Sequence, residues 1–214
     1  MKSSIDEKLQ GYRLSLSNAL GYVPLKKPLA TFSYDRPKLL KGQSLLEKVL
    51  ELQSTKDDTY GAQKDATDAI NQEWATLKTL FNEHRQLARL AFKDQRGVLT
   101  QLKLDTRLKT AFSGWITQAT AFYGKIGQHS EGMARYGVNT EVLHGAQSRL
   151  EALLGLYSQQ SQRKAEAQHI TEQRNKALKD LDHWMRDFYR IAKVALQDEP
   201  QLLEMLGYVV PAQA

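Results

Sequence analysis

The chain has 214 residues, no cysteine and a formal net charge of +6. Without cysteine it holds neither disulfides nor thiolate chemistry nor a cysteine-ligated zinc ion. Its first residues, MKSSIDEKLQ, lack the basic end and apolar run of a secretory signal, and no window approaches the roughly 18 apolar residues that span a bilayer. We therefore expect a cytoplasmic protein with no membrane partner.

Long helices dominate the predicted elements. A first helix is predicted at about 4–20. The next 16 residues, 21–36, predict an irregular connector because they hold two of the five prolines, and a third, Pro37, follows directly. From Lys38 to Glu199 the sequence has no proline, which suits long helices. Apolar residues at steps of three and four then predict one amphipathic helical region at about 38–93, closed by a short helix.

The same order of elements recurs in the second half of the chain. When the sequence is shifted by 104, Leu39–Leu102 matches Leu143–Leu206 without gaps at 16 of 64 positions. Unrelated sequence of ordinary composition gives roughly 4 to 5 matches. We therefore predict internal repeats at 1–104 and 105–208, followed by a tail at 209–214.

In the second repeat the first helix is predicted at about 105–123 and an irregular, glycine-rich connector at 124–139. A long helical region follows at about 141–197, and a short helix then ends at Gly207.

One ambiguity concerns the middle of the long regions. The segment STKDDTYG at 54–61 contains turn residues, so the region could fold back as a hairpin. Its counterpart at 158–165, SQQSQRKA, has no such signal. Because two copies of one unit should share one backbone, the second copy favours a continuous helix of about 80 Å.

These elements predict an all-α fold. We expect an antiparallel up-and-down helical bundle, made from two tandem repeats related by a pseudo-twofold axis, with long helices of coiled-coil type. Because a single copy would expose its apolar stripe, residues 1–214 are expected to form one domain.

Two Glu-x-x-His pairs are the candidates for metal binding. Residues spaced by three lie on one helix face, so Glu141 with His144, and Glu166 with His169, could each share a metal ion. The first repeat has no equivalent pair, and the sequence around His169 is polar. A surface carboxylate–imidazole pair is therefore favoured, and no cofactor is expected.

Other candidate residues fit ordinary packing or solvation. His84 lies on an apolar stripe and is expected to be a core histidine with a hydrogen-bond partner. Basic residues recur in both long regions and could contact phosphates. Acidic residues interrupt them, as on a solvated helix face. These basic residues are Arg85, Arg89, Lys93, Arg96, Arg186, Arg190 and Lys193.

The first connector is the most distinctive segment outside the repeated pattern. It combines charge with aromatic rings on a predicted loop, and binding residues often lie on loops. Its candidate partner-binding residues are Tyr22, Lys26, Lys27, Phe32 and Tyr34. The competing interpretation is that its apolar residues cover the end of the bundle.

The sequence contains no glycine-rich phosphate loop, no nucleophile elbow and no recognisable catalytic carboxylate pair. We therefore expect a non-enzymatic protein with an interaction or structural role, through a protein partner or self-association. The alternative is a protein that binds nucleic acid or a metal ion.

Overall fold

The computed structural model describes residues 4–207. These residues are all-helical and contain no strand. In chain order they form α1 (Ile5–Gly21), α2 (Val23–Thr31), α3 (Arg36–Ala91), α4 (Arg96–Gln101), α5 (Phe112–Ile126), a 3₁₀ helix (Gly127–His129), α6 (Ser130–Ala134), α7 (Thr140–Ala195) and a second 3₁₀ helix (Pro200–Leu206).

Both long helices are continuous. Each has 56 residues, and neither is interrupted at 54–61 or 158–165, so the hairpin alternative is wrong. An α-helix satisfies its own backbone hydrogen bonds, and a polar stretch can therefore remain helical. Local side-chain contacts add to this in the first helix, where Gln53 Nε2 lies 3.1 Å from Asp57 Oδ1, one turn away.

The prediction of an irregular first connector is wrong, because nine of its residues form α2. Pro24 lies in the first turn, where a missing N–H costs no helical hydrogen bond. Pro28 lies inside the helix, and its cost is offset by the complete burial of Leu25 and Leu29. The number of prolines alone does not show whether a segment is helical, because their effect depends on where they fall within the helix.

The second repeat also departs from its predicted bounds. Its first helix, α5, begins at Phe112 rather than near 105. The glycine-rich connector is largely helical, since it contains the end of α5, the first 3₁₀ helix and α6. The predicted stop at Gly207 is present, with a positive φ of 81° that glycine adopts without strain.

The chain divides into two compact units. The first comprises Met1–Tyr60 and Glu166–Ala214, of which 4–60 and 166–207 are described, and the second comprises Gly61–Ala165. Each long helix therefore contributes one end to each unit. The prediction of one domain with repeats at 1–104 and 105–208 stays a prediction, and the predicted tail at 209–214 lies outside the described residues.

The core of the first unit is built by α1, α2, the start of α3 and the end of α7. Its aromatic centre is a contact between Trp184 and Phe188, whose rings stack 5.6 Å apart. The buried residues around it are Leu9, Leu16, Ala19, Leu25, Leu29, Leu39, Leu46, Val49, Leu181, Met185, Ala192, Leu196, Leu203 and Leu206.

The second 3₁₀ helix is held on α1 by polar side chains. Ser15 Oγ lies 2.6 Å from the Leu206 carbonyl oxygen and 2.6 Å from Tyr189 Oη. Because a serine hydroxyl has one proton, donation to the carbonyl leaves it to accept from the tyrosine. Asn18 Nδ2 also donates to the Met205 carbonyl at 2.6 Å.

The core of the second unit is built by the end of α3, α5, α6 and the start of α7. Phe81 lies at its centre, with edge-on contacts to Trp115 at 5.9 Å and to Phe122 at 5.4 Å. Further buried residues are Ile70, Leu77, Ala88, Phe92, Leu102, Leu104, Ala119, Ile126, Met133, Leu143, Ala146, Leu150 and Leu153.

Gly42 allows a close approach between α3 and α7. A Cβ atom added there would lie 2.4 Å from Trp184 Cη2, far inside van der Waals contact. The indole cannot move away easily, because it stacks on Phe188 and contacts the edge of Tyr34 at 5.6 Å. Gly11 in α1 is also helical, but an added Cβ there has nothing within 4 Å.

We therefore predict opposite effects for two alanine substitutions in this unit. Gly42→Ala should lower the free energy of unfolding by about 1–3 kcal/mol, because it overpacks the core. Gly11→Ala should raise it by up to about 1 kcal/mol, since alanine has the higher helix propensity. Denaturant titration followed by circular dichroism measures both. Stabilisation by both substitutions would show that Trp184 yields and that the close approach is not a constraint.

Candidate functional site

Four of the five predicted partner-binding residues lie on the outside of the first unit. Tyr22 precedes α2, Lys26 and Lys27 lie on its outer face, and Phe32 follows it; all four are exposed. Val23, which was not predicted, is the most exposed large apolar residue described here, at 72%. We call these five residues, Tyr22, Val23, Lys26, Lys27 and Phe32, the α2 surface.

Tyr34 differs from the other predicted residues because it lies in the core, with 4% of its surface exposed. Its ring centroid lies 5.4 Å from that of Phe188, and Lys38 Nζ lies over the ring, 4.1 Å from its centroid. Burial raises the pKa of its phenol, with a smaller contribution from the charge of Asp187. Its position is that of a packing residue.

The candidate metal ligands are exposed on α7. Glu141 and His144 lie in its first turns, and Glu166 and His169 lie further along the helix. His169 Nε2 is 2.8 Å from Gln173 Nε2, so it has a hydrogen-bond partner. Within residues 4–207, no group of three or more His, Cys, Asp or Glu residues could hold a metal ion.

His84 is a core histidine, as the sequence predicts. It is 3% exposed, and its Nδ1 lies 3.0 Å from the hydroxyl of Tyr123. Burial lowers the pKa of His84, because the charged imidazolium is poorly solvated there, while nearby Glu83 opposes the shift.

The basic residues of the second unit point to a structural role. Arg85 is 7% exposed and donates to the carbonyl oxygens of Lys103, at 3.2 Å, and Thr106. Arg89 Nε donates to the Leu104 carbonyl at 2.8 Å. These two guanidinium groups fix the segment between α4 and α5 by satisfying its backbone acceptors.

Four basic residues of the first unit line a cleft between α1 and the end of α7. The cleft has a volume of about 430 Å³. We call it the basic cleft, and its lining residues are Lys8, Tyr12, Asp182, Arg186, Tyr189, Arg190 and Lys193. Four cationic side chains and one carboxylate give this lining a net charge of +3.

Asp182 organises one side of the basic cleft. Its Oδ2 lies 2.6 Å from Lys8 Nζ, and its Oδ1 accepts from the Tyr12 hydroxyl at 3.0 Å. The pKa of Tyr12 is raised, first by burial and then by the charge of Asp182. On the same helix Arg190 Nη1 lies 3.8 Å from Asp187 Oδ1.

Three of the cleft residues, Arg186, Arg190 and Lys193, are basic candidates in the sequence, but the repeat pattern does not group them with α1. Lys8, Tyr12 and Ser15 are spaced by four and then three residues, so they lie on one face of that helix. A polar face of this kind on a helix that is otherwise packed in the core indicates a candidate binding surface. Its pairing with α7 could not be read from the sequence, because the two segments are some 170 residues apart.

The chain was compared with protein-family models, curated proteins and solved structures, and it matched none of them. Among the described helices, none combines the length and the apolar character that crossing a membrane requires.

We predict a pH dependence of stability that originates at His84. Its pKa in the folded protein lies below the ordinary value of 6.5, so the unfolded chain binds a proton more readily. The burial of neutral His84 therefore costs no stability above pH 6.5. Below that value the unfolded chain takes up a proton that the folded chain does not, so the free energy of unfolding falls. The denaturant midpoint of the wild type should therefore decrease as the pH is lowered from 7.5 to 5.

The substitution His84→Asn removes the titrating group and keeps a polar atom near Tyr123, and its midpoint should fall less steeply over the same range. His183→Asn is the matched control, because His183 is exposed on α7. Parallel pH profiles for the wild type and His84→Asn would contradict the assignment.

Proposed function

We propose that this protein is a non-enzymatic, cytoplasmic interaction protein that uses the α2 surface to bind an acidic, apolar segment of a protein partner. The observation that carries this proposal is the exposure of Val23, at 72%, on a short helix that also exposes two lysines and has an exposed aromatic residue at each end. An exposed apolar patch that polar residues surround is typical of a protein interaction site.

The rigidity of α2 supports this role. Leu25 and Leu29 are completely buried and anchor the helix in the core, while Pro24 and Pro28 restrict its backbone. A preorganised surface loses little conformational entropy when a partner binds. The α2 surface is therefore suited to recognition by a partner that adapts to it.

Charge complementarity specifies the partner. Lys26 and Lys27 are adjacent and exposed, so carboxylates on the partner would pair with them. Tyr22, Val23 and Phe32 offer apolar area beside these charges. A segment that alternates acidic with apolar or aromatic residues satisfies both requirements.

We further infer that the chain consists of two tandem copies of one helical unit. In support, α3 and α7 begin at 36 and 140 and end at 91 and 195, so both ends are separated by the 104 residues of the sequence match. The α2 surface belongs to one copy, because the second connector has no residues equivalent to Lys26 and Lys27.

Site-specific photo-crosslinking tests the proposed function. A photoreactive amino acid at position 23 of the full chain should capture a partner in cells of the source organism, and mass spectrometry should identify the linked segment as acidic and apolar. A synthetic peptide of that segment should bind the purified protein. The substitutions Lys26→Glu and Lys27→Glu together should weaken its binding at least tenfold, because they replace attraction with repulsion.

Two controls keep the result specific. The pair Lys176→Glu and Lys179→Glu makes the same charge change on exposed positions of α7 and should leave peptide binding within twofold. The photoreactive group at Val142, an exposed residue of the second unit, should not capture the same segment. Equal effects of both lysine pairs, or capture of a second copy of this chain or of nucleic acid at position 23, would refute the proposal.

A further inference from the structure

We propose that the basic cleft of the first unit binds a small phosphate-bearing anion. This inference goes beyond the proposed function, since no residue of the α2 surface lines the cleft. It rests on the charge of the lining, on the different use of the equivalent positions in the second unit, and on the size and chemistry of the cleft.

The charge of the lining favours an anion. Arg186, Arg190 and Lys193 are spaced by four and three residues, which places them on one face of α7. Like charges at this spacing repel one another. Asp182 is the one carboxylate of the lining, and it is held by Lys8 and Tyr12 on the opposite side. Arg190 also lies 3.8 Å from Asp187, which offsets part of its charge, and an anion between the two arginines would relieve the repulsion that remains.

The second unit has arginines at two positions that the sequence repeat aligns with residues of the basic cleft. The 104-residue offset aligns Lys193 with Arg89 and Tyr189 with Arg85. Both arginines donate to backbone carbonyl oxygens of the segment between α4 and α5. There the oxygen acceptors belong to the chain itself. In the first unit Lys193 lines the basic cleft, which is open to a ligand that carries oxygen acceptors.

The size and chemistry of the cleft indicate a small phosphate ester. Its volume of about 430 Å³ falls within the usual range of small-molecule sites. The guanidinium groups of Arg186 and Arg190 present paired donors that match phosphate oxygens. The rings of Tyr12 and Tyr189, 6.3 Å apart, form an amphipathic wall suited to the organic part of the ligand.

Asp182 restricts the choice of ligand further. A carboxylate in the lining disfavours a polyanion that fills the cleft with phosphates, because like charges repel. Its oxygens retain lone pairs beyond those used by Lys8 and Tyr12, so they can accept from a ligand hydroxyl or amine. A mononucleotide or a sugar phosphate combines one charged end with such donors.

Isothermal titration calorimetry of the full chain tests the proposal, with AMP and glucose 6-phosphate as probes and sulfate as the reference anion, in 50 mM NaCl. We expect at least one of the two phosphate esters to bind at one site per chain, at least tenfold more tightly than sulfate. The pair Arg186→Gln and Arg190→Gln should weaken that binding at least tenfold. Both side chains are exposed, so the variant should keep the wild-type circular dichroism spectrum.

Two further variants make the test decisive. Lys176→Gln with Lys179→Gln removes the same charge elsewhere on α7 and should change affinity less than twofold. Arg186→Lys with Arg190→Lys keeps the charge but loses the paired donors, so its affinity should fall between those of the wild type and the glutamine variant.

Three results would overturn the proposal. The first is absence of binding by both esters at 5 mM, and the second is an equal loss in both glutamine variants. The third concerns a 20-nucleotide oligothymidine. If it binds more than tenfold more tightly than either ester, and if Arg186→Gln with Arg190→Gln abolishes that binding, the cleft is a nucleic-acid site.

Discussion

Each long helix builds two cores at once, and the rest of the structure depends on this constraint. The start of α3 and the end of α7 pack in the first unit, whereas the end of α3 and the start of α7 pack in the second. Each helix runs without interruption through a polar middle, where its backbone hydrogen bonds are satisfied within the helix itself. Neither core can be completed by one half of the sequence alone.

The sequence predicts the features that depend on periodicity, because a stripe of apolar residues reports directly on a buried helix face. This explains why the long helices and the burial of His84 are predicted correctly. The helix α2 is missed because composition does not show that Pro24 falls in a first turn, and Tyr34 is misplaced because its burial depends on Phe188, distant in sequence. The basic cleft is missed for the same reason, since α1 and α7 meet only after folding.

The two units use arginine differently, and this difference bears on function. In the second unit Arg85 and Arg89 are committed to carbonyl oxygens of the chain, where they organise a loop. In the first unit cations line an open cleft, and two more lysines lie on the exposed face of α2. Arginine thus serves internal structure in the second unit, whereas Arg186 and Arg190 of the first unit are exposed.

The discontinuity of the first unit has a consequence for synthesis on the ribosome. Its two segments are separated by the whole of Gly61–Ala165, which forms the second unit. The inner unit is therefore complete as soon as its last residue leaves the exit tunnel, while Leu9, Leu16 and Leu25 still await the partners on α7 that bury them. Contacts this distant in sequence form slowly. Until the end of α7 is synthesised, the nascent chain thus carries an exposed apolar surface of the kind that chaperones recognise.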